Sequence, residues 1–206
     1  FRKIIAVNGH GQDYVIPLAI HKFGKKFQVP GIILYVHFWN AAKDPVTGLS
    51  DLVTKEENGV YEKPFIHADE VEQSWSLALF PELCKQENAV AAEPSPMLPP
   101  GHINNSAESG AGPIKWYNAF GSVGMECICS PGGVIGDPTL ADAEKARAGV
   151  EHTLNYLEKL VNDILAKYPA GELPPIDKTT QRNREDIEAV IKGPANGGRH
   201  IYTLTY

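Results

Sequence analysis

Lys3 to Val7 of the stretch KIIAVNGHGQDYVIPLAIHKF is a short, apolar, β-branched run. It ends at Asn8-Gly9-His10-Gly11, and beyond that Tyr14, Leu18 and Phe23 recur at helical spacing with Ala19 and Ile20 between. The segment VPGIILYVHFW (Val29 to Trp39) follows a Pro-Gly breaker and reads as a second buried strand, because Ile32, Ile33, Leu34 and Val36 form a near-continuous apolar run. Strand, helix and strand in that order make a βαβ unit and hence a parallel sheet. His10 then sits at the carboxyl edge of the sheet, where open α/β folds bind ligands.

A loop rich in Asp, Lys and Gly spans 40–63. The run HADEVEQSWSLALFPELC then predicts a helix starting near Asp69, with Val71, Trp75, Ala78 and Leu79 on one side, and Pro81 closes it or starts a last irregular turn. Residues 91–113 carry too much Pro, Gly and Ser for regular structure and read as an irregular excursion, while 116–138 suggests strands joined by glycine turns. Asp137-Pro138 reads as the cap and first residue of a long helix reaching about Tyr168, with Val150, Leu154, Leu157, Val161 and Ile164 as its buried stripe. Residues 172–206 form a C-terminal extension: linker, a short polar helix around 185–191, and RHIYTLTY as an edge strand. The chain starts at Phe1, directly on a core strand. The expectation is therefore the C-terminal portion of one larger domain whose N-terminal part is missing from this chain.

The formal net charge of −6, with 19 Lys and Arg scattered among 25 Asp and Glu, opposes a nucleic-acid partner, which needs a basic face. No apolar run is long enough to span a bilayer, so no membrane role is expected. Three cysteines, Cys84 alone and Cys127 with Cys129 as C-x-C, fit reduced thiols and a cytoplasmic location rather than a zinc or redox motif.

Chemistry converges on three places. His10 ends the first strand, Trp39 ends the second, and His67, Asp69, Glu70 and Glu72 open the next helix, so all three are placed at one sheet edge. Four ionisable groups crowded at a helix start call for a positive partner, and a divalent metal supplies one. The alternative is that Asp69 and Glu70 cap the helix and Glu72 is solvated; the pattern alone leaves both readings open. The glycines of GGVIGDP lack the spacing of a phosphate-binding turn, and His21, His37, His102, His152 and His200 stand apart from carboxylate clusters.

The segments VNGHG, YVHFWNAAKD, HADEVEQSWSLALFPEL and GVIGDPTLADAEKA, in this order and spacing, resemble the creatininase family of metal-dependent hydrolases across nearly the whole chain. Within it, PFIHADEVEQSWSLALFPE, TLADAEKA and GGRHIYTLTY look most like the branch that acts on diketo-inositols such as 3-dehydro-scyllo-inosose in inositol catabolism. The resemblance implies an α/β, creatininase-like three-layer fold with a largely parallel sheet, lacking here its N-terminal part. It implies a divalent metal, Zn²⁺ or alternatively Mn²⁺, and a homo-oligomer, a hexamer in the family. It also implies that the missing segment, in the same or a separate chain, brings further metal ligands.

Carried over by position, the resemblance makes His10 and Glu72 metal ligands, His67 the proton donor with Glu70 beside it as a catalytic group, and Trp39 a wall of the substrate pocket. Asp69 and Lys63 would bind substrate hydroxyls. Gln12 stands where creatininase has a metal-binding Glu, and Lys63 where it has a second pocket Trp, which argues against creatinine as substrate. The expected reaction is hydrolytic C–C opening of a small cyclic polyol ketone to a linear keto acid. Cyclic-amide hydrolysis is the alternative, and a non-catalytic polyol-binding or assembly subunit is the alternative of another class.

Overall fold

The computed structural model describes residues 1–10, 15–27, 31–92 and 132–173, with Asn183 and Glu185. Their fold divides into two compact units: one built from Phe1–Val7, Asp13–Tyr35 and Asp163–Tyr206, the other from Asn8–Gln12 and Val36–Asn162.

The first unit holds the βαβ pattern. Strands β1 (Lys3–Asn8) and β2 (Ile32–His37) are hydrogen-bonded neighbours in a parallel arrangement, and helix α1 (Val15–Phe27) lies between them in sequence. Pro17 falls in the first turn of α1, where a missing N–H costs nothing. Ile32 donates its N–H to the Arg2 carbonyl (2.7 Å), extending the pairing one residue before β1, and Lys3 Nζ donates to the Pro169 carbonyl (2.6 Å). The helical spacing of α1 is real, yet it does not mean burial. Leu18 and Phe23 are about half exposed, and Phe23 instead stacks on Phe27 one turn later, ring centroids 4.8 Å apart. Tyr14 lies outside the described residues.

In the second unit the chain departs from expectation directly after β2. Trp39 does not end the strand: β2 stops at His37, and Phe38–Ala41 forms one helical turn, α2, with Ala42 N–H donating to the Phe38 carbonyl at 2.8 Å. Continued as a strand, Phe38 and Trp39 would point to opposite faces. The helical turn lets both meet Phe65, at 6.0 and 6.4 Å between ring centroids, while Phe38 also meets Trp75 edge-on at 4.8 Å. These rings pack on a core of Ala42, Leu52, Tyr61, Val71, Trp75 and Ala146.

Helix α3 (Glu70–Leu79) starts where the sequence indicates, with Asp69 as its cap. Its buried face is Glu70, Val71, Ser74 and Trp75, however, and Ala78 and Leu79 are exposed because the helix has run past the core by its last turn. Asp137-Pro138 does not open the long helix. Asp137 caps a separate 3₁₀ turn, Pro138–Leu140, accepting from Thr139 N–H at 3.0 Å, and helix α4 runs from Ala143 to Lys167.

The buried positions of α4 are Ala146, Gly149 and Thr153, while Leu154 and Val161 of the expected stripe are exposed. Small residues are needed there because α4 lies close against Trp75. A Cβ on Gly149 would stand 2.8 Å from Trp75 Cζ2 and 3.3 Å from Asp51 Cβ. The excursion at 91–113 is described only at Ala91 and Ala92. The expected strands of 116–131, Cys127 and Cys129, and the C-terminal edge strand lie outside the described residues.

His152 stands on α4, and its Nδ1 meets Asp51 Oδ2 at 2.9 Å, so this histidine does pair with a carboxylate 101 positions away. The hydrogen bond to Asp51 raises the imidazole above its usual value, outweighing partial burial. A raised histidine pKa stabilises the fold fully below the unfolded value near 6.5, and that stability is lost as pH rises through the folded value. We expect His152→Ala to cost roughly 1 to 2 kcal/mol in urea unfolding at pH 6 and clearly less at pH 8.5. An equal cost at both pH values would rule out a charged pair.

Candidate active site

The site is built from two turns. In the first, at the end of β1, the buried Asn8 side chain donates to the His10 carbonyl and accepts the His10 N–H at 3.2 Å. This local closure, typical of Asn in turns, fixes the backbone that presents His10. In the second turn, before α3, His67 accepts a hydrogen bond from Ile135 N–H at 3.0 Å through its carbonyl. The rings of His10 and His67 meet edge-on, centroids 6.0 Å apart and planes at 70°. The two histidines singled out in the sequence are thus neighbours.

Between His67 and the helix, Ala68 takes a left-handed backbone conformation, φ 46°. An L-residue there costs roughly 1 kcal/mol or more and persists only where its surroundings hold it. Two carboxylates do so. Glu72 Oε2 accepts the Ala68 N–H from one turn ahead, and Asp69 accepts from Ile66 on one oxygen and from Val71 (2.9 Å) and Glu72 (3.1 Å) on the other. Asp69 is fully buried, and burial pushes its carboxyl up to about 6 despite the opposing pull of its backbone donors.

Gly136 allows this closeness. It has φ 126°, and a Cβ there would fall 2.7 Å from Asp69 Cβ. The GGVIGDP glycines therefore include one that packs against the cap.

Glu70, also fully buried, uses both carboxylate oxygens. Oε2 accepts from Glu62 N–H (2.8 Å) and Lys63 N–H (3.0 Å), and Oε1 pairs with Lys145 Nζ, which also donates to the Leu140 carbonyl at 2.8 Å. Lys63 is held by its backbone while its side chain is exposed. Trp39 is half-buried, its ring 4.4 Å from that of His37 and edge-on to Phe65. Lys145 had no signal in the sequence, because its partner stands 75 positions away.

The donor types present suit a borderline divalent cation: two imidazoles with a carboxylate on the adjoining helix turn. Among the described residues, though, no three His, Cys, Asp or Glu side chains assemble into a ligand cluster. Imidazole nitrogens bind zinc at about 2.0–2.1 Å, so two rings sharing one tetrahedral ion lie roughly 5 Å apart. The observed 6.0 Å between the ring centroids of His10 and His67 is wider than that.

Removing the cap should be costly. Asp69→Ala strands buried N–H groups of Ile66, Val71 and Glu72, and we expect about 2 kcal/mol lost in chemical denaturation. Asp69→Asn, which keeps an acceptor oxygen for Val71 and Glu72, should lose less. Equal losses for the two would mean that the hydrogen bonds are not what holds the turn.

Residues 1–161 match the family model described as creatininase, creatinine amidohydrolase. The chain is also similar to a 3-dehydro-scyllo-inosose hydrolase of Thermotoga maritima, 53% identical over 204 residues, covering 98% of this chain and 64% of that protein. The chain thus spans less than two thirds of the length of this relative. Among solved structures, a creatinine amidohydrolase (creatininase) is 18% identical with TM-score 0.46, over 84% of this chain and 57% of that one. A manganese creatininase is 19% identical with TM-score 0.45, over 84% and 58%. With the family model matching 161 of its 206 residues from the first onward, this chain belongs to the creatininase family.

Proposed function

We propose that the protein containing this chain is a hydrolase that opens a small cyclic polyol ketone, a diketo-inositol such as 3-dehydro-scyllo-inosose, by C–C cleavage to a linear keto acid. The observation carrying this reading is the 53% identity to the Thermotoga maritima hydrolase across 98% of the chain. Cyclic-amide hydrolysis is the second reading, supported by the description of the family model as creatinine amidohydrolase.

In this proposal His10 and Glu72 hold a divalent cation, Zn²⁺ or Mn²⁺, together with ligands from elsewhere in the protein. Such a cation would polarise the attacked carbonyl and ease deprotonation of water. Addition of water to one ketone of a 1,3-dicarbonyl unit, followed by collapse, breaks the C–C bond. The water oxygen ends in the new carboxylate, and the electron pair passes to the carbon α to the second ketone as an enolate. His67, beside His10, delivers the proton that this carbon needs.

Trp39 forms an apolar wall, and Lys63, with its exposed side chain, meets polyol hydroxyls. Asp69 was expected among the substrate-binding residues; with both oxygens on backbone N–H groups it serves the site by shaping the turn that carries His67. Glu70 likewise contributes through position, since both of its oxygens are engaged. Among the described residues no helix is long and apolar enough to cross a membrane. A cytoplasmic homo-oligomer completes the proposal.

Purified protein should convert 3-dehydro-scyllo-inosose to a linear keto acid and, in H₂¹⁸O, place one labelled oxygen in its carboxylate. Turnover of creatinine-like cyclic amides alone would sink the C–C reading in favour of the second.

We expect His10→Ala to lose bound metal and activity together. His67→Asn should retain metal while kcat falls about 10²- to 10⁴-fold. Metal content by elemental analysis and steady-state rates separate these roles. Full metal occupancy in His10→Ala, or a normal kcat in His67→Asn, would remove the respective assignment.

A further inference from the structure

We infer that the buried Glu70–Lys145 pair is the frame of the candidate site, and that Lys145, on α4, is a positioning residue for it. The metal part of the inference rests on the reading that His10 and Glu72 hold a divalent cation; the framing part does not.

Glu70 is the first residue of α3, and its carboxylate reaches out of the helix to grip the two consecutive N–H groups of Glu62 and Lys63. The same carboxylate takes Lys145 Nζ, and the ammonium takes the Leu140 carbonyl. One step along, Ser74 Oγ donates to the Glu70 carbonyl (2.6 Å) and accepts from Asp142 N–H (3.1 Å), so the entry to α4 is fastened to α3 twice. The segments joined at Glu70 are the ones that carry the candidate residues: Lys63 on one side, and on the other the helix turn with Glu72, whose carboxylate holds the Ala68 N–H beside His67.

The energetics make Lys145 decisive for this geometry. A carboxylate with no exposed surface is strongly disfavoured without a counter-charge, and removing one member of a buried pair leaves the other uncompensated. Without the ammonium, the buried Glu70 carboxylate is left uncompensated and turns toward water, releasing the N–H groups of Glu62 and Lys63. That release loosens the Lys63 backbone and the start of α3. Lys145 is partly accessible, with about one fifth of its side chain exposed, so a neutral replacement need not collapse the core.

The test uses the purified protein with Lys145→Met and, as the milder change that keeps a polar N–H donor, Lys145→Gln. Three quantities are read: amide hydrogen exchange at Glu62 and Lys63 and Zn²⁺ affinity by competition with a chromophoric chelator, both well below the unfolding midpoint, and Tm itself. We expect exchange at both amides to accelerate at least about tenfold and Zn²⁺ to bind about ten- to a hundredfold more weakly, as for loss of groups that orient metal ligands. Lys145→Arg, which restores the charge, should recover part of both.

A lower Tm with wild-type exchange at Glu62 and Lys63 would overturn the inference and leave Lys145 as a stabilising residue only. Wild-type exchange in Lys145→Gln would overturn it even if Lys145→Met failed to fold. If the unaltered protein retains no Zn²⁺, the metal reading falls, and the exchange rates alone decide whether the frame exists.

Discussion

Burial of the Glu70 carboxylate is the constraint around which the second unit is arranged. A charge with no solvent exposure must be answered by donors, and the answers come from two parts of the chain: the 62–63 turn and the head of α4 through Lys145. Satisfying one side chain therefore fixes both of them against the helix that Glu70 opens. The apolar core beneath, Val71, Trp75, Tyr61 and Ala146, supplies the burial that makes the demand strict. Burial in that core pushes the Tyr61 phenol up.

The turn before α3 shows how such constraints reach a residue of the candidate site. Ala68 is not the glycine that its left-handed backbone favours, and the conformation holds because two carboxylates that follow it, Asp69 and Glu72, collect the N–H groups of Ile66, Ala68, Val71 and Glu72. The kink turns the chain sharply between His67 and the helix. Strain at a residue so placed is a common mark of functional turns. Acidic residues in HADEVE that invite a reading as metal ligands thus divide their labour: Asp69 and Glu70 answer backbone and lysine donors, and Glu72 closes the turn through the Ala68 N–H.

Much of this was legible beforehand where local chemistry dominates. The β-branched run of β1, the NGH turn with its Asn closure, and Asp69 as the cap of α3 follow from residue types within a few positions, and short-range hydrogen bonds enforce them. Periodicity misled where burial depends on what lies opposite. The spacing of Leu154 and Val161 marks a helix correctly, yet these residues are exposed because α4 approaches Trp75 through Ala146 and Gly149. Phe38 and Trp39 leave the strand for a helical turn in which both rings meet Phe65 and Phe38 also meets Trp75. His152 stands apart from carboxylates in the sequence because its partner Asp51 is 101 positions distant.

The sequence by itself determined the order of elements, the strand-to-helix turn that bears His10, the capped start of α3 and membership in a hydrolase family, because each is written in contiguous residues whose backbone preferences and motifs need no distant partner. Only the tertiary structure decided that His10 and His67 face each other, that Glu70 is spent on Lys145 and two backbone amides, and that Gly136 and Gly149 are spacers for Asp69 and Trp75. Those outcomes turn on side-chain contacts between segments tens of residues apart. Burial sets the strength of such contacts, and burial exists only once the chain has closed on itself.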